Sequence, residues 1–558
     1  MGPEADVRPS GATAGADARA FAISNARAEA ATRASRLALL GLIVAAGLVL
    51  KAVAWPEPVG SHALDGANYY QVARHVASGE GFVTRLSLYH QGFQSFPHET
   101  NVYPLWPLVL GYAARAIELP LAARVLPAVF YALSLVLLFA LVDRLARALG
   151  SGRTTLEPHA SSFTVGHAAA LLFALNPIYF RHTSLPYAEG ILYAATFGAL
   201  VSLDATRDAT GRRALGTAAL AGALAGAALL CRPQMIALVV AVPLALALTG
   251  AARAGAVSAI AALAVVVPWV VHLARIVDPF SPAALVDFAA YRETASIPPF
   301  PLTVSSATFL DFLLDRATGF AVAFDPSHPN GYVRSFGPAV ALLLVGLAAL
   351  GLRAPSLREA GRWLRSPRSR TVTATCLTAA GALAAVHEHH ATLTWEWWFH
   401  WRHGLPLIPP LGLALAATTA FAPLSLRRIG LAVVAWGAFA LATPLAHTIH
   451  FLRLQAGPSP QEAALVEWIA TQAHDQEPEP SFVSTKAQAL AAYSERGGFH
   501  WTTCGDDPIR TARLLTDAGA DYVLLYPGEE QCPAFAPLLP DLRLVGSFDD
   551  LQIWGPVR

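Results

Sequence analysis

An isolated carboxylate, Asp65, stands a few positions after the first apolar run of the chain. It heads a polar stretch from Leu64 to Pro107 that closes on Tyr103-Pro104-Leu105-Trp106-Pro107. A carboxylate beside a bilayer is costly to keep there, so it is a candidate for a functional site. Within hydrogen-bond reach of a hydroxyl, it could take that group's proton as the hydroxyl attacks. Its structural reading is the N-cap of a helix over Gly66–Val76. Arginines at the edges of later apolar runs offer a second chemistry: Arg232 at a turn and Arg402 at the mouth of a run, with Arg181 and Arg275 as further options. A guanidinium keeps its proton and presents two parallel donors, a geometry that suits phosphate oxygens. Headgroup contact or a salt bridge is the plainer alternative. Finally, His387, Glu388, His389, His390, Glu396, His400 and His403 lie among Trp395, Trp397, Trp398 and Trp401. Histidine and carboxylate together can bind a divalent cation. Trp clusters at a membrane boundary are ordinary anchors, and anchoring with sugar stacking on the indoles is the preferred reading.

These residues need a scaffold that holds them at a lipid boundary. The 558-residue chain is 54% hydrophobic and 14% charged, with a net charge of +1. Soluble proteins carry about a quarter charged residues. The class is therefore integral membrane and mainly α-helical, and the near-neutral charge argues against a nucleic-acid partner. Residues 1–35, rich in Ala, Gly and Arg, read as a disordered cytosolic tail. Leu37–Trp55 is long enough to cross a bilayer and follows a tail too long for a signal peptide, so it reads as a retained helix. Further runs follow at Leu121–Leu145, Phe163–Tyr179, Tyr187–Leu203, Ala214–Leu230, Met235–Leu248, Ala256–Ile276, Phe336–Leu352, Thr371–Val386, Gly404–Phe421 and Ile429–Ile449. Each is near the ~20 residues that a span needs, which makes about eleven transmembrane helices over residues 36–456. Alternate loops hold Arg144, Arg147 and Arg153; Arg207, Arg212 and Arg213; Arg253; the arginines from Arg353 to Arg370; and Arg427 and Arg428. All fall on the side of Arg33 and Arg36. That is the positive-inside pattern, with the N-terminus cytoplasmic and the C-terminus outside. The extracytoplasmic face then carries a large loop, residues 56–120, a second loop at Val277–Ser335, the His387–His403 stretch and a terminal domain at 457–558.

In the terminal domain helix-like and strand-like pieces alternate: Gln461–Ala473, Ser481–Ser484, Lys486–Ser494, Pro508–Ala518, Tyr522–Tyr526, Leu542–Phe548 and Leu551–Trp554. That order reads as a small α/β domain. Cys504 and Cys532 lie in it and would pair in an oxidising compartment, whereas Cys231 and Cys376 lie in apolar runs and read as inert. Asp506-Asp507 precedes a helix and reads as an N-cap rather than a metal site. Lys51 and Lys486 are the only lysines, and this usage, with abundant Ala and Pro, suggests a high-GC bacterial source.

The chain resembles the GT-C class of membrane glycosyltransferases, in the branch of protein O-mannosyltransferases and lipid A aminoarabinose transferases. The resemblance lies in Asp65 with Tyr69-Tyr70 and Ala73, the Ser78-Gly79 turn, and Tyr103 to Pro107 opening a juxtamembrane helix. It extends to Asn176-Pro177 with Glu189 shortly after, and to Arg402-His403-Gly404-Leu405-Pro406. It covers roughly residues 37 to 450. It implies a polyprenyl-phosphate sugar donor and a lipid, glycan or protein acceptor outside the cytoplasmic membrane. Transfer would be an inverting single displacement with Asp65 as base. Arg402 and Arg232 would hold the donor phosphate. Glu189 would order the acceptor or help a divalent cation, the alternative being a first-turn Glu favoured by the helix dipole. His98 and Glu99, with Tyr69 and Tyr103, would position the substrate. In the aminoarabinose branch a Lys follows an acidic residue at the Glu99 position; Thr100 stands here instead, which argues against that substrate.

The rival reading is a multi-pass transporter or flippase of a polyprenyl-linked or other lipid. Transporters place ionisable groups near the midplane and carry internal repeats. Here polar residues gather on one face and the runs are almost free of charge. The expectation is a multi-pass cell-membrane glycosyltransferase of the hexosyl or pentosyl kind. Its terminal domain would cover the site or recruit acceptor, and truncation after about Ala456 would spare donor binding.

Overall fold

The computed structural model describes residues 11–57, 59, 64–87, 96–100, 102–148, 163–276, 365–378, 441, 445–454, 457–474, 479–516 and 519–556. The predicted spans Phe336–Leu352 and Gly404–Phe421, most of Thr371–Val386 and Ile429–Ile449, Arg402 and the His387–His403 stretch lie outside the described residues.

The described residues up to Ile276 are mainly helical: α1 (Gly11–Ala54), α2 (Leu64–Ser78), α3 (Leu105–Ala114), α4 (Leu119–Ala148), α5 (Val165–Leu175), α6 (Pro177–His182), α7 (Glu189–Ala205), α8 (Gly211–Leu229), α9 (Ile236–Leu248) and α10 (Ala252–Ile276). Three stretches, Ala30–Ala54, Leu119–Ala146 and Ala252–Arg275, are long and apolar enough to cross a membrane. They match the first, second and seventh predicted spans. Helix α7 buries almost its whole circumference, as an all-round apolar helix must when neighbours flank it on every side. Residues 11–35, expected as a disordered tail, are helical in α1. Ala fills many of those positions and is the strongest helix former.

The third predicted span is two helices. Asn176 Oδ1 accepts from Ile178 N–H at 3.0 Å and Tyr179 N–H at 3.4 Å, so it caps α6, and Pro177 takes the first helical position. Helix α2 starts at Leu64, so Asp65 lies inside its first turn and is not its N-cap. Its buried face includes Ala67, Tyr69, Val72, Ala73 and Val76. Gly79 (φ +88°) and Gly81 (φ +102°) end it in a left-handed backbone that other residues adopt only with strain.

Small residues let α8 and α10 meet backbone to backbone. A Cβ added at Gly222 would lie 1.9 Å from Ser258 O, and one at Gly226 2.8 Å from Ala262 O. No rotamer change relieves a clash with a main chain, so Gly222→Leu should cost more than the roughly 1–3 kcal/mol of ordinary overpacking. The expected result is loss of monodisperse protein in detergent on size exclusion. Gly216→Leu, where an added Cβ meets nothing within 4 Å, should elute as wild type.

At one end of this bundle Asp204 of α7 accepts from Arg144 of α4 at 2.8 Å and from the Thr371 hydroxyl at 3.3 Å, with Arg207 at 3.7 Å. Asp143 accepts from Gly166 N–H at 3.0 Å, and Arg370 donates to the Thr249 hydroxyl at 2.7 Å. These bonds join the ends of α4, α5, α7 and α9 to the helical stretch 370–378. The site candidates lie at the other end.

The C-terminal part holds α11 (Pro460–His474), β4 (Ser481–Ser484), α12 (Ala487–Tyr493), β5 (Gly498–Trp501), α13 (Pro508–Thr516), β6 (Tyr522–Leu525), β7 (Leu542–Phe548) and β8 (Leu551–Pro556). Upstream, the loop after α2 forms β1 (Val83–Thr84), β2 (Leu86–Ser87) and β3 (His98–Glu99). One six-stranded sheet runs in the order β2-β5-β4-β6-β8-β7, parallel from β2 to β6 and antiparallel beyond. Parallel strands need cover on both faces. Leu465, Ile469, Leu490 and Ala491 of α11 and α12 supply one face, Leu514 of α13 with Phe535 the other. Ser459 and Glu462 form a capping box on α11, exchanging bonds of 2.9 and 3.2 Å. Asp507 Oδ1 accepts from Ile509 N–H at 3.0 Å and caps α13, as the sequence predicts.

Strand β2 comes from the large loop, so the terminal sheet is completed by residues some 400 positions upstream. Other bonds reinforce the junction. Arg74 of α2 donates to the carbonyls of Ala491, Ala492 and Ser494 at the C-terminus of α12, where a cation is favoured. Arg85 pairs with Glu479, the Tyr493 hydroxyl donates to Val59 O, and the Phe96 ring lies on Gly498.

Cys504 and Cys532 form a disulfide across a separation of 28 residues. By the chain-entropy account such a link stabilises by about 3–4 kcal/mol. Cys504→Ser, or reduction, should lower the unfolding midpoint of this part by roughly 10 °C or more, read by differential scanning fluorimetry. An unchanged midpoint would show that the bond adds no stability.

Candidate active site

The end of the bundle that bears the large loop gathers the N-termini of α2, α3 and α7 and the turn after α8. Glu189 opens α7, where the helix dipole favours an anion. It is fully buried, and its Oε1 accepts from Arg232 Nη2 at 2.9 Å, with the Arg232 side chain 12% exposed. Arg232 follows α8, and Leu105 N–H of α3 donates to Leu230 O at 3.3 Å. That bond brings the start of α3 to the arginine. Burial pushes the Tyr103 phenol above its ordinary pKa, and the positive charge of Arg232 opposes the rise. Glu189, Arg232 and Tyr103 thus share one neighbourhood.

The turn before Glu189 is held from two directions. Trp106 Nε1 donates to Pro186 O at 2.6 Å. Gly66 of α2 lies against the same turn: a Cβ added there would meet Pro186 Cγ at 3.2 Å and Tyr187 Cε1 at 3.3 Å. The backbone of the first turn of α2, which carries Asp65, therefore abuts the segment that leads into Glu189.

Other predicted positions have different surroundings. Tyr69 is buried with Trp106 and Leu110 in the main core, where it helps build the seam between α2 and α3. His98 and Glu99 form β3, opposite Thr84 and Val83 of β1. His98 Nδ1–H donates to Glu99 O at 2.8 Å, its ring lies by Phe96, and Phe96 meets His500 edge-on. Burial lowers the His98 pKa, which keeps the imidazole neutral at pH 7. Arg181 lies over the Phe451 ring at 4.8 Å, and Arg275 is in the last turn of α10. Among the described residues no group of three His, Cys, Asp or Glu side chains is arranged to hold a metal.

Chemically, the cluster offers a fixed cation beside a carboxylate at the edge of the apolar bundle. Burying such a pair costs desolvation of both charges, so its presence points to use. A guanidinium held by a carboxylate is oriented before a ligand arrives, which suits the charge that develops on a leaving phosphate. The sequence singled out each of these residues separately; their pairing was not readable from it. Lys51 is the further functional candidate, and its signal in the sequence is a lysine inside an otherwise apolar run.

No protein-family model matches the chain, and no curated protein does either. Solved structures share its architecture. The chain is similar to the archaeal oligosaccharyltransferase AglB from Archaeoglobus fulgidus, in complex with an inhibitory peptide and a dolichol-phosphate. The TM-score is 0.51 at 13% identity, over 87% of this chain and 69% of that one. It is also similar to ArnT from Cupriavidus metallidurans bound to undecaprenyl phosphate, with a TM-score of 0.49 at 16% identity, over 92% and 97% of the two chains. The fold is that of the GT-C membrane glycosyltransferases.

Proposed function

We propose that the protein moves a sugar from a polyprenyl-phosphate donor to an acceptor outside the cytoplasmic membrane. The observation that carries this reading is the buried Glu189–Arg232 pair beside the helix turn that bears Asp65. The fold supports it, since the AglB structure holds a dolichol-phosphate. In this reading Arg232, oriented by Glu189, and Arg402 hold the donor phosphate and stabilise it as it leaves. Asp65 takes the proton of the attacking hydroxyl. The bond from acceptor oxygen to the anomeric carbon forms as the bond from that carbon to the phosphate oxygen breaks. The electron pair goes to the phosphate, and the configuration inverts. Tyr103 borders the phosphate side; Tyr69, His98 and Glu99 act by shaping the loop. The bundle has about eleven spans, with the N-terminus cytoplasmic and the sheet domain outside, in a bacterial cell membrane. The acceptor is a lipid, a glycan or a protein.

The test uses purified protein in lipid nanodiscs with a panel of radiolabelled polyprenyl-phosphate sugars. Release of sugar to water or to added membrane extract from one donor is the expected result. Tight binding of polyprenyl phosphate with no release from any donor would favour lipid transport instead.

A further inference from the structure

We infer that Lys51 is a positioning residue for this site, acting through the turn that delivers Glu189; the inference rests on the reading of the Glu189–Arg232 pair given above. Lys51 lies in the last turn of α1 and is 6% exposed. An ammonium has three protons to donate, and three acceptors meet them: Phe180 O at 3.3 Å, Thr183 Oγ1 at 3.0 Å and Ser184 Oγ at 2.8 Å. The rings of Tyr131 and Phe180 lie over it, with centroids at 4.3 and 4.7 Å. Aromatic faces attract a cation. None of these partners is a carboxylate.

With its three donors occupied by the protein, this amine is not set to bind a ligand. What it holds is the end of α6. The Thr183 and Ser184 hydroxyls accept from Lys51 and donate in turn to the carbonyls of Tyr179 and Phe180. A cation at a helix C-terminus is favourable, and this one caps α6 inside the bundle. From Ser184 only Leu185, Pro186, Tyr187 and Ala188 lead to Glu189. At the far side of that segment Trp106 grips Pro186 O. Two clamps on so short a segment fix where α7 begins, and with it the carboxylate that orients Arg232. A buried charge is expensive in an apolar bundle; a Met would fill the same space at lower cost if packing were all that mattered.

The experiment compares wild type with Lys51→Met as full-length protein in nanodiscs. Amide hydrogen exchange in the segment 183–189 should rise about tenfold or more, with the C-terminal sheet unchanged. With the donor found above, kcat should fall about tenfold or more at unchanged KM. In a Glu189→Gln background the same substitution should add less than about twofold, because residues acting through one placement are not additive. Unchanged exchange at 183–189 overturns the proposal, and so does additivity with Glu189→Gln. Ser184→Ala, a milder loss from the same cage, should raise exchange in the same segment and stands in if Lys51→Met does not fold. The exchange measurement needs no substrate. A wild-type protein that transfers no sugar would therefore reject the glycosyltransferase reading, while exchange still decides the role of Lys51.

Discussion

Arg232→Met should abolish turnover and destabilise the protein, whereas Glu189→Gln combined with Arg232→Met should regain most of the stability and none of the turnover. Glu189 is fully buried and bonded to Arg232 at 2.9 Å. Taking away one partner of such a pair leaves a charge in a medium that solvates it poorly, typically at a cost of about 3–5 kcal/mol. Neutralising both residues removes that penalty, because Gln keeps the shape of Glu without its charge. Turnover behaves differently if the guanidinium acts on the donor phosphate. Loss of one preorganised donor to developing charge typically costs about 10²–10³ in kcat. Thermal unfolding and sugar release measured on the same preparations separate the two effects. A double variant that is stable and active would make the pair purely structural.

Removing the chain after Ala456 should disorder the large loop as well as delete the sheet. The sequence suggests a separable terminal domain, but strand β2 of the loop pairs with β5 at Leu86–Phe499 and Ser87–His500. Arg85 and Arg74 would lose Glu479 and the carbonyls at the end of α12, and Phe96 would lose Gly498. Arg85 is buried, so an unpaired guanidinium there carries the same kind of penalty as at Arg232. The expected outcome is rapid proteolysis in the truncate at residues 83–87 and 96–100, which pair with or pack on the sheet in the full chain, together with loss of donor binding. A truncate that keeps donor affinity and protection would restore the view of two independent parts.

Much of this architecture is legible because its signals are local. Tyr69, Val72, Ala73 and Val76 recur at helical spacing, and Gly79 ends α2 at φ +88° as the Ser78-Gly79 turn suggests. The predicted run Met235–Leu248 and helix α9 differ by one residue. Asn176-Pro177 was visible as the end of a span, yet its effect, a capped break followed by the short α6, depends on which carbonyls the next turn can reach. Contacts between distant segments leave no such trace. The parallel pairing of Leu86 with Phe499 carries no turn signal, because a crossover separates the strands. Strand β5 itself, Gly498–Trp501, has no clear strand signal in the sequence, because its Gly and His lack strand propensity. Glu189 and Arg232 were each visible as charges at span ends, but which charges meet is settled by how α7 and α8 pack.

The most direct measurement is sugar release from the matching polyprenyl-phosphate donor by wild type and Asp65→Asn at equal expression in nanodiscs. Asp65 lies in the first turn of α2, whose backbone abuts the turn that leads into Glu189, and Asn keeps its size while removing its basicity. The expected result is a fall in kcat of about 10²-fold or more at unchanged donor KM, as loss of a general base requires. Wild-type turnover in Asp65→Asn would contradict the assignment of the base and, with it, the mechanism proposed for this site.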